Sequence, residues 1–477
     1  MLATLAPPPP AVIQVHIAQE RLHTVDEAYL SVALDSALLM NAPFWQAAKP
    51  TASFSFQHPR FLALSQLLTR QAPTYLRIGG TDADRVAFAA NQSTESGLQK
   101  QGLLPLTPQH WQTFHHLSTQ LGTPLIFTLS TGPHTQNPQW AFQNARQIMA
   151  QAQQANTPIK AWEWGNEPNG YPLFFGRWLS GSTYAAQLAQ LQQHHPHQPL
   201  AGPATAWWPH WGEPLPLSPE ILRQAGKSLS FFTWHYYPQQ SQRCAVKTRP
   251  TPEQAPLQPA QLNTVIHFAQ HQERLRRRYA IQAPHWLGET GHAQCGGSPE
   301  ISDRWVSSLW WLDQLGALAK VGVSLQVRQA LVGSDYGLLA EQSFEPRPDF
   351  WSSVLWKQLM GPEVLDSQLQ SGTAPRLRHY VHCHPRQGIS LLGINLQNQA
   401  LSLQVPSPWQ GAQQYVLSAP HLKAKQVWLN GSPISETQAL TQQGLSGRPL
   451  LQNRLQLPAY GAAFVHLPQY RHPGCPS

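Results

Sequence analysis

Two short stretches carry the residues best suited to bond-breaking chemistry. Residues 162–169 read W-E-W-G-N-E-P-N, a run of large apolar side chains that passes through Gly165 and Asn166 into Glu167 and Pro168. This is the pattern of a buried strand stopping at a loop, with Pro168 enforcing the stop. Residues 285–290, H-W-L-G-E-T, have the same form and deliver Glu289 to a loop. Cleavage of a glycosidic bond needs two carboxyl groups flanking it, one to protonate the leaving oxygen and one to attack the sugar or activate water. Glu167 and Glu289 can fill those roles. Either glutamate alone could equally be an exposed loop carboxylate, the ordinary place for an acid. Their matched contexts favour a working pair.

The two glutamates lie about 120 residues apart, so only a fold that gathers distant strand ends on one face can join them. A (β/α)8 TIM barrel does this, and its active sites sit at the loop-side ends of the strands. The chain alternates accordingly. Strands are expected at 29–35, 74–81, 124–130, 161–168, 199–204, 230–237, 284–289 and 324–329, with helices at 59–70, 138–154, 183–194, 259–280 and 303–320. Glu167 then ends the fourth strand and Glu289 the seventh. After about residue 375, short strand-like runs divided by Pro, Gly, Asn and Ser indicate an all-β sandwich. The expected fold class is α/β, a TIM barrel with a C-terminal β-sandwich. Residues 1–27, which include a strand at 11–16, would add a strand to the sandwich; 28–372 would form the barrel and 373–477 the sandwich.

The chain has 477 residues, of which only 12% are charged, against about 25% in an average globular domain. Its 18 Trp, 12 Tyr and 16 Phe supply flat apolar faces, most of them for the core. A formal charge of +8, with 22 His in reserve, favours acidic partners. A polyanionic glycan fits better than nucleic acid, because the one dense basic cluster, Arg274 with Arg276, Arg277 and Arg278, reads as a solvated helix face. No apolar run approaches the roughly 18 residues of a membrane span. The start, M-L-A-T-L-A-P-P-P-P, lacks the charged and apolar regions of a secretory signal, and its proline run is too short to be read as a ligand. No H-E-x-x-H or C-x-x-C pattern occurs, so no metal and no cofactor is expected.

The ordered set Y-L-S-V-A-L-D, Y-L-R-I-G-G-T, W-E-W-G-N-E-P-N, T-W-H-Y-Y, W-L-G-E-T and V-R-Q-A-L-V-G-S-D-Y resembles the heparanase family of retaining glycoside hydrolases over most of residues 12–475. The resemblance implies Glu167 as acid/base and Glu289 as nucleophile. It implies that Asn166 binds the sugar 2-hydroxyl, that Asp35 binds hydroxyls of a glucuronate ring, and that Thr81 and Tyr237 contact substrate, with Arg77 and His235 in support. Strand-end capping is the alternative for Asp35. Recognition of the uronate carboxylate would fall to Tyr336 and to backbone amides of Cys295, Gly296 and Gly297; Cys295 stands where the family more often has glycine. Residues 85–120 are short where proenzymes of the family carry an excised linker, so activity without proteolysis is expected. Trp207, Trp208 and Trp211 occupy a loop where the family tends to place basic residues. They would either stack on a less sulfated sugar or pack beneath the loop.

The implied activity is endo-β-glucuronidase action on heparan-sulfate-like chains. An exo-β-glucuronidase or hyaluronan-cleaving relative shares the chemistry, and a catalytically silent glycan-binding protein is the remaining alternative. A monomer is favoured. Cys383 and Cys475 resemble a family disulfide that pins the C-terminus. Cys244 and Cys295 fall just beyond the sixth and seventh strands and are either a second bond or two free thiols. Four cysteines so placed point to an oxidising compartment, and hence to export.

Overall fold

The computed structural model describes residues 13–476, apart from 41, 43–54, 136, 247–251, 254, 372–373 and 442–443. The proline run, and the start of the strand expected at 11–16, lie outside the described residues. Eight parallel strands close a barrel in sequence order: β1 (Leu30–Asp35), β2 (Leu76–Gly79), β3 (Leu125–Leu129), β4 (Ile159–Trp164), β5 (Leu200–Trp207), β6 (Phe231–Tyr236), β7 (His285–Thr290) and β8 (Leu325–Arg328). Nearly every residue on them is buried, as expected of parallel strands covered on both faces.

The surrounding helices start where capping chemistry places them. Asn137 caps Pro138–Gln154, and Thr107 caps Pro108–Leu121 through a reciprocal box with His110. The helix expected at 259–280 is two pieces, Pro259–Leu262 and Thr264–Arg278, divided at Asn263. Residues 85–120 are folded rather than linker-like. They hold a pair of short parallel strands, Val86–Phe88 and Leu104–Leu106, around the helix Gln92–Lys100.

The second sheet begins earlier than its composition indicates. Glu363–Ser371, expected within the barrel portion, pairs with Leu377–Cys383 on one side and with the N-terminal strand Ile13–Thr24 on the other. Its polar Asp366, Ser367 and Gln368 look like loop in sequence, because only alternate side chains of a sandwich strand need be apolar. Ile13–Thr24 also pairs in parallel with Leu401–Gln404, so both ends of the chain enter this sheet.

Helix Trp305–Lys320 joins the two layers and is buried on all sides except at its last residue. Its Asp313 accepts from Arg378 at 2.6 Å and from the Tyr380 hydroxyl at 2.5 Å. Gly316 must be glycine at this crossing, since a Cβ there would sit 2.2 Å from the Tyr380 ring.

Both cystine bonds are formed, Cys244 with Cys295 and Cys383 with Cys475. The second spans 92 residues and ties the tail to the sheet. In the chain-entropy picture a loop of that size contributes about 4 to 5 kcal/mol. Cys475→Ser is therefore expected to lower the thermal midpoint by several degrees with the fold retained, as read by circular dichroism. An unchanged midpoint would show that the staple adds nothing to stability.

Candidate active site

Arg77 leaves β2 pointing into the barrel, wholly buried. The path is clear because the next side-chain position on that face is Gly79, where a Cβ would lie 2.5 Å from the guanidinium carbon. Its Nε and Nη2 both donate to Oε2 of Glu163, at 2.9 and 2.7 Å. Nη1 donates to Glu289 at 2.7 Å, and Nη2 also reaches Oδ1 of Asn166 at 2.9 Å. Glu163 takes further hydrogen bonds from Thr128 and Thr233. A buried cation is tolerated only when paired and hydrogen-bonded, and here the pairing fixes two carboxylates and an amide at once.

Glu289 receives a second hydrogen bond, 2.7 Å from the Tyr237 hydroxyl. The guanidinium and the phenol together fix the position of its carboxylate. Glu167 lies three residues beyond the end of β4, in the left-handed region at φ 49°. Its backbone N–H is anchored on the Ala204 carbonyl of β5 at 3.0 Å. Burial pushes the Glu167 carboxyl up to about 7, with Arg77 opposing and Glu163 adding to the rise. The acid therefore keeps its proton near neutrality.

His235 connects the two glutamates. Its Nε2 faces Arg77 Nη2 at 3.4 Å, and Arg77 can only donate. Its Nδ1 lies 3.1 Å from Glu167 Oε1, within hydrogen-bonding reach of that carboxyl. Burial brings His235 down to about 4, so the imidazole is neutral under ordinary conditions. Glu167, His235 and Glu289 present polar atoms within 4.8 Å of one another, a spacing a divalent ion could bridge. Arg77 already holds the cationic place beside Glu289.

Asp35, at the end of β1, caps the turn Ser36–Leu39 through the Ala37 N–H and accepts from Gln329 at 3.2 Å. Burial, with Asp82 close by, raises its carboxyl well above the usual range. Gly80, at φ 90°, makes room for it, since a Cβ there would sit 2.1 Å from Asp35 Oδ2. Thr81 follows in a short 3-10 turn. Tyr336 is buried with its ring centre 6.2 Å from that of Tyr237. Gly297 packs on the Tyr336 backbone, and Gly296 accepts from Asp335 N–H and Ser334 Oγ. The loop carrying Cys295, Gly296 and Gly297 is thus held beside Tyr336, with Cys244 bonded to Cys295 and Arg243 donating to Gly297.

Two residues of this site are absent from the sequence reading. Glu163 stands inside the W-E-W run, where an acid between two buried tryptophans was the available signal. Asp84 sits in the 3-10 turn Thr81–Arg85 and accepts from Asn166 N–H, Thr131 N–H and the Tyr171 hydroxyl. No pattern marks it, because its partners are scattered backbone and loop groups. Trp207 is not on a loop: β5 continues past a register shift at Pro203 and Thr205, and Trp207 is buried against Trp234 and Phe268.

A carboxyl raised by burial and another held by a guanidinium, at the mouth of an eightfold barrel, are the groups that glycosidic cleavage requires, and the family match makes the protein a glycoside hydrolase. Comparison with known proteins narrows the class. The chain belongs to glycosyl hydrolase family 79, whose N-terminal domain it matches over residues 18–316. Heparanase of Gallus gallus is 28% identical, with 97% of both chains covered, and heparanase of Mus musculus is 27% identical, covering 93% of this chain and 90% of that one. Inactive heparanase-2 of Homo sapiens is 28% identical over 74% of this chain and 62% of its own. The fold also resembles a 4-O-α-L-rhamnosyl-β-D-glucuronidase from Fusarium oxysporum, with TM-score 0.70 at 16% identity, covering 95% of this chain and 100% of that one. A family 51 α-L-arabinofuranosidase from Bifidobacterium longum gives 0.66 at 14%, covering 96% and 100%.

With Glu167 as the expected proton donor, a carboxyl raised to about 7 would set the alkaline side of the pH profile. Glu163→Gln removes a negative charge that raises Glu167 and leaves Arg77 less neutralised, so both effects favour ionised Glu167. The alkaline limb of kcat/KM is expected to move to lower pH in this variant. A limb that stays near 7 would remove Glu163 from the control of the donor.

Proposed function

We propose that this protein is a retaining endo-β-glucuronidase that cleaves glucuronate–glucosamine linkages in heparan-sulfate-like glycans. The observation that carries the reading is a separation. One oxygen of Glu167 and one of Glu289 lie within 4.8 Å of each other, which favours the closely spaced carboxyl pair of retaining enzymes, about 5 to 5.5 Å between groups. Inverting enzymes need about 6.5 to 9.5 Å to seat a water.

In the first step Glu289 attacks the anomeric carbon while Glu167 gives its proton to the glycosidic oxygen. The carbon–oxygen bond breaks, the leaving chain departs as an alcohol, and a glycosyl ester forms on Glu289. In the second step ionised Glu167 takes a proton from water, whose oxygen displaces Glu289 from the same carbon. Arg77 and Tyr237 aim the nucleophile. Asn166 spends its carbonyl on Arg77, which turns its amide N–H groups to the sugar 2-hydroxyl.

Selection of a uronate rests on the loop of Cys295, Gly296 and Gly297. All three have positive φ, at 57°, 85° and 84°, a backbone form in which amide N–H groups can gather on an anion. Tyr336 stands beside them. The names of the heparanase relatives and of the Fusarium oxysporum glucuronidase support the same substrate class. Two cystine bonds support export to an oxidising compartment, and no helix among the described residues is long and apolar enough to cross a membrane.

Heparan sulfate digests should show chain length falling early, with little free monosaccharide; monosaccharide release alone would replace the endo reading by an exo one. Glu289→Gln is expected to lower kcat by roughly 10⁴-fold or more. Substantial residual turnover in that variant would remove Glu289 from the nucleophile's place.

A further inference from the structure

We infer that Trp208 and Trp211 form a stacking platform for the first sugar on the leaving-group side, one that favours a ring without sulfate. The inference rests on the glucuronidase reading and extends it to the other half of the substrate.

Among the described tryptophans only Trp178 and Trp211 are exposed, at 64% and 62%. They lie on adjacent loops, after β4 and after β5. The chain leaves β5 at Trp207, which is buried, and turns back within five residues. Trp208 and Gly212 exchange backbone hydrogen bonds of 2.7 and 3.0 Å, and Gly212 at φ 73° closes the turn against the Trp207 ring. Across this turn Trp211 stacks on Trp208 with ring centres 6.0 Å apart and planes inclined by 26°. The segment beyond is braced as well, because the Glu213 carboxylate accepts from Leu217 N–H, Ser218 N–H and Ser218 Oγ. An exposed aromatic face on a braced turn is presented at little cost in ordering, which is the property a binding platform needs.

The position of the turn relative to the proton donor identifies what would lie on it. Glu167 is bonded to Ala204, and the Asn169 side chain both donates to and accepts from the Ala206 backbone. The donor's loop is thereby fastened to the stretch of β5 that ends at Trp207, one residue before the platform. In the eight-membered ring of strands, β4 and β5 stand opposite β8 and β1, which carry Tyr336 and Asp35. A uronate ring held by Tyr336, Asp35 and the Cys295 loop therefore points its glycosidic oxygen across the mouth, toward Glu167 and the tryptophans beyond it. The C–H face of a pyranose ring suits an indole. A sulfate on that ring gains nothing from the indole faces, which would strip its water.

The test compares wild-type enzyme with Trp211→Ala, a surface change that leaves the core intact, on an unsulfated glucuronate–N-acetylglucosamine oligosaccharide and on its N-sulfated counterpart. For the unsulfated substrate KM is expected to rise about tenfold with little change in kcat. The inhibition constant of free glucuronic acid should stay the same, Trp211→Tyr should recover much of the loss, and the preference for the unsulfated substrate should shrink in the alanine variant. An unchanged KM, or an equal weakening of free glucuronic acid, would overturn the platform. The two readings fail separately: no turnover of either substrate by the wild-type enzyme removes the glucuronidase assignment and the platform with it, whereas turnover insensitive to Trp211 removes the platform alone.

Discussion

Arg77 enters the barrel interior with no solvent exposure and divides its donors among Glu163, Glu289 and Asn166. A guanidinium cannot give up its charge under any ordinary condition, so the carboxyl groups around it must adjust. Glu163 and Glu289 meet it directly. Glu167 and Asp35 stand further off in the same buried space and are pushed toward the protonated form. Arg77 thus binds Glu163 and Glu289 directly, while burial, which Arg77 offsets only in part, raises Glu167. Losing such a buried partner typically costs on the order of 3 to 5 kcal/mol, so the ion network that arms the site also constrains the fold.

The backbone around this cation is cut to fit it. Gly79 and Gly80 remove the two side chains that would collide with Arg77 and Asp35. Gly288, one residue before Glu289, would otherwise place a Cβ 3.2 Å from Thr233 and 3.4 Å from Glu163. The glycines in R-I-G-G-T and W-L-G-E-T therefore report close packing under the site as much as they report strand ends. His235, kept neutral by burial, stands between the same cation and the other glutamate, 3.4 Å from Arg77 and 3.1 Å from Glu167.

Much of this was legible in the sequence, and the reasons are specific. Barrel strands buried on both faces are continuous apolar runs, so the alternation from residue 29 to 329 stood out, as did both glutamates at the ends of such runs. Boundaries failed where chemistry and pattern diverge. The fifth strand was expected to stop at residue 204, but it continues through a register shift between Pro203 and Thr205 and carries Trp207 into the core. Glu363–Ser371 buries too few side chains to look like a strand, although both of its edges are paired. Glu163 was overlooked because a buried acid is recognised by its counter-ion, and Arg77 lies 86 positions away. Asp84 depends on the N–H groups of Thr131 and Asn166 and on the hydroxyl of Tyr171, 87 positions away, and none of these marks it in the sequence.

The central claim is that Glu289 forms a covalent bond to the sugar while Glu167, held protonated by its surroundings, serves the leaving group. A 2-deoxy-2-fluoro glucuronide with a good leaving group tests it most directly, because fluorine slows the second step more than the first can be slowed when departure needs little protonation. Incubation followed by peptide mass mapping should show one sugar adduct per chain, on the peptide holding Glu289. An adduct on Glu163 or Glu167, or full turnover through an inverted product with no adduct at all, would contradict the account.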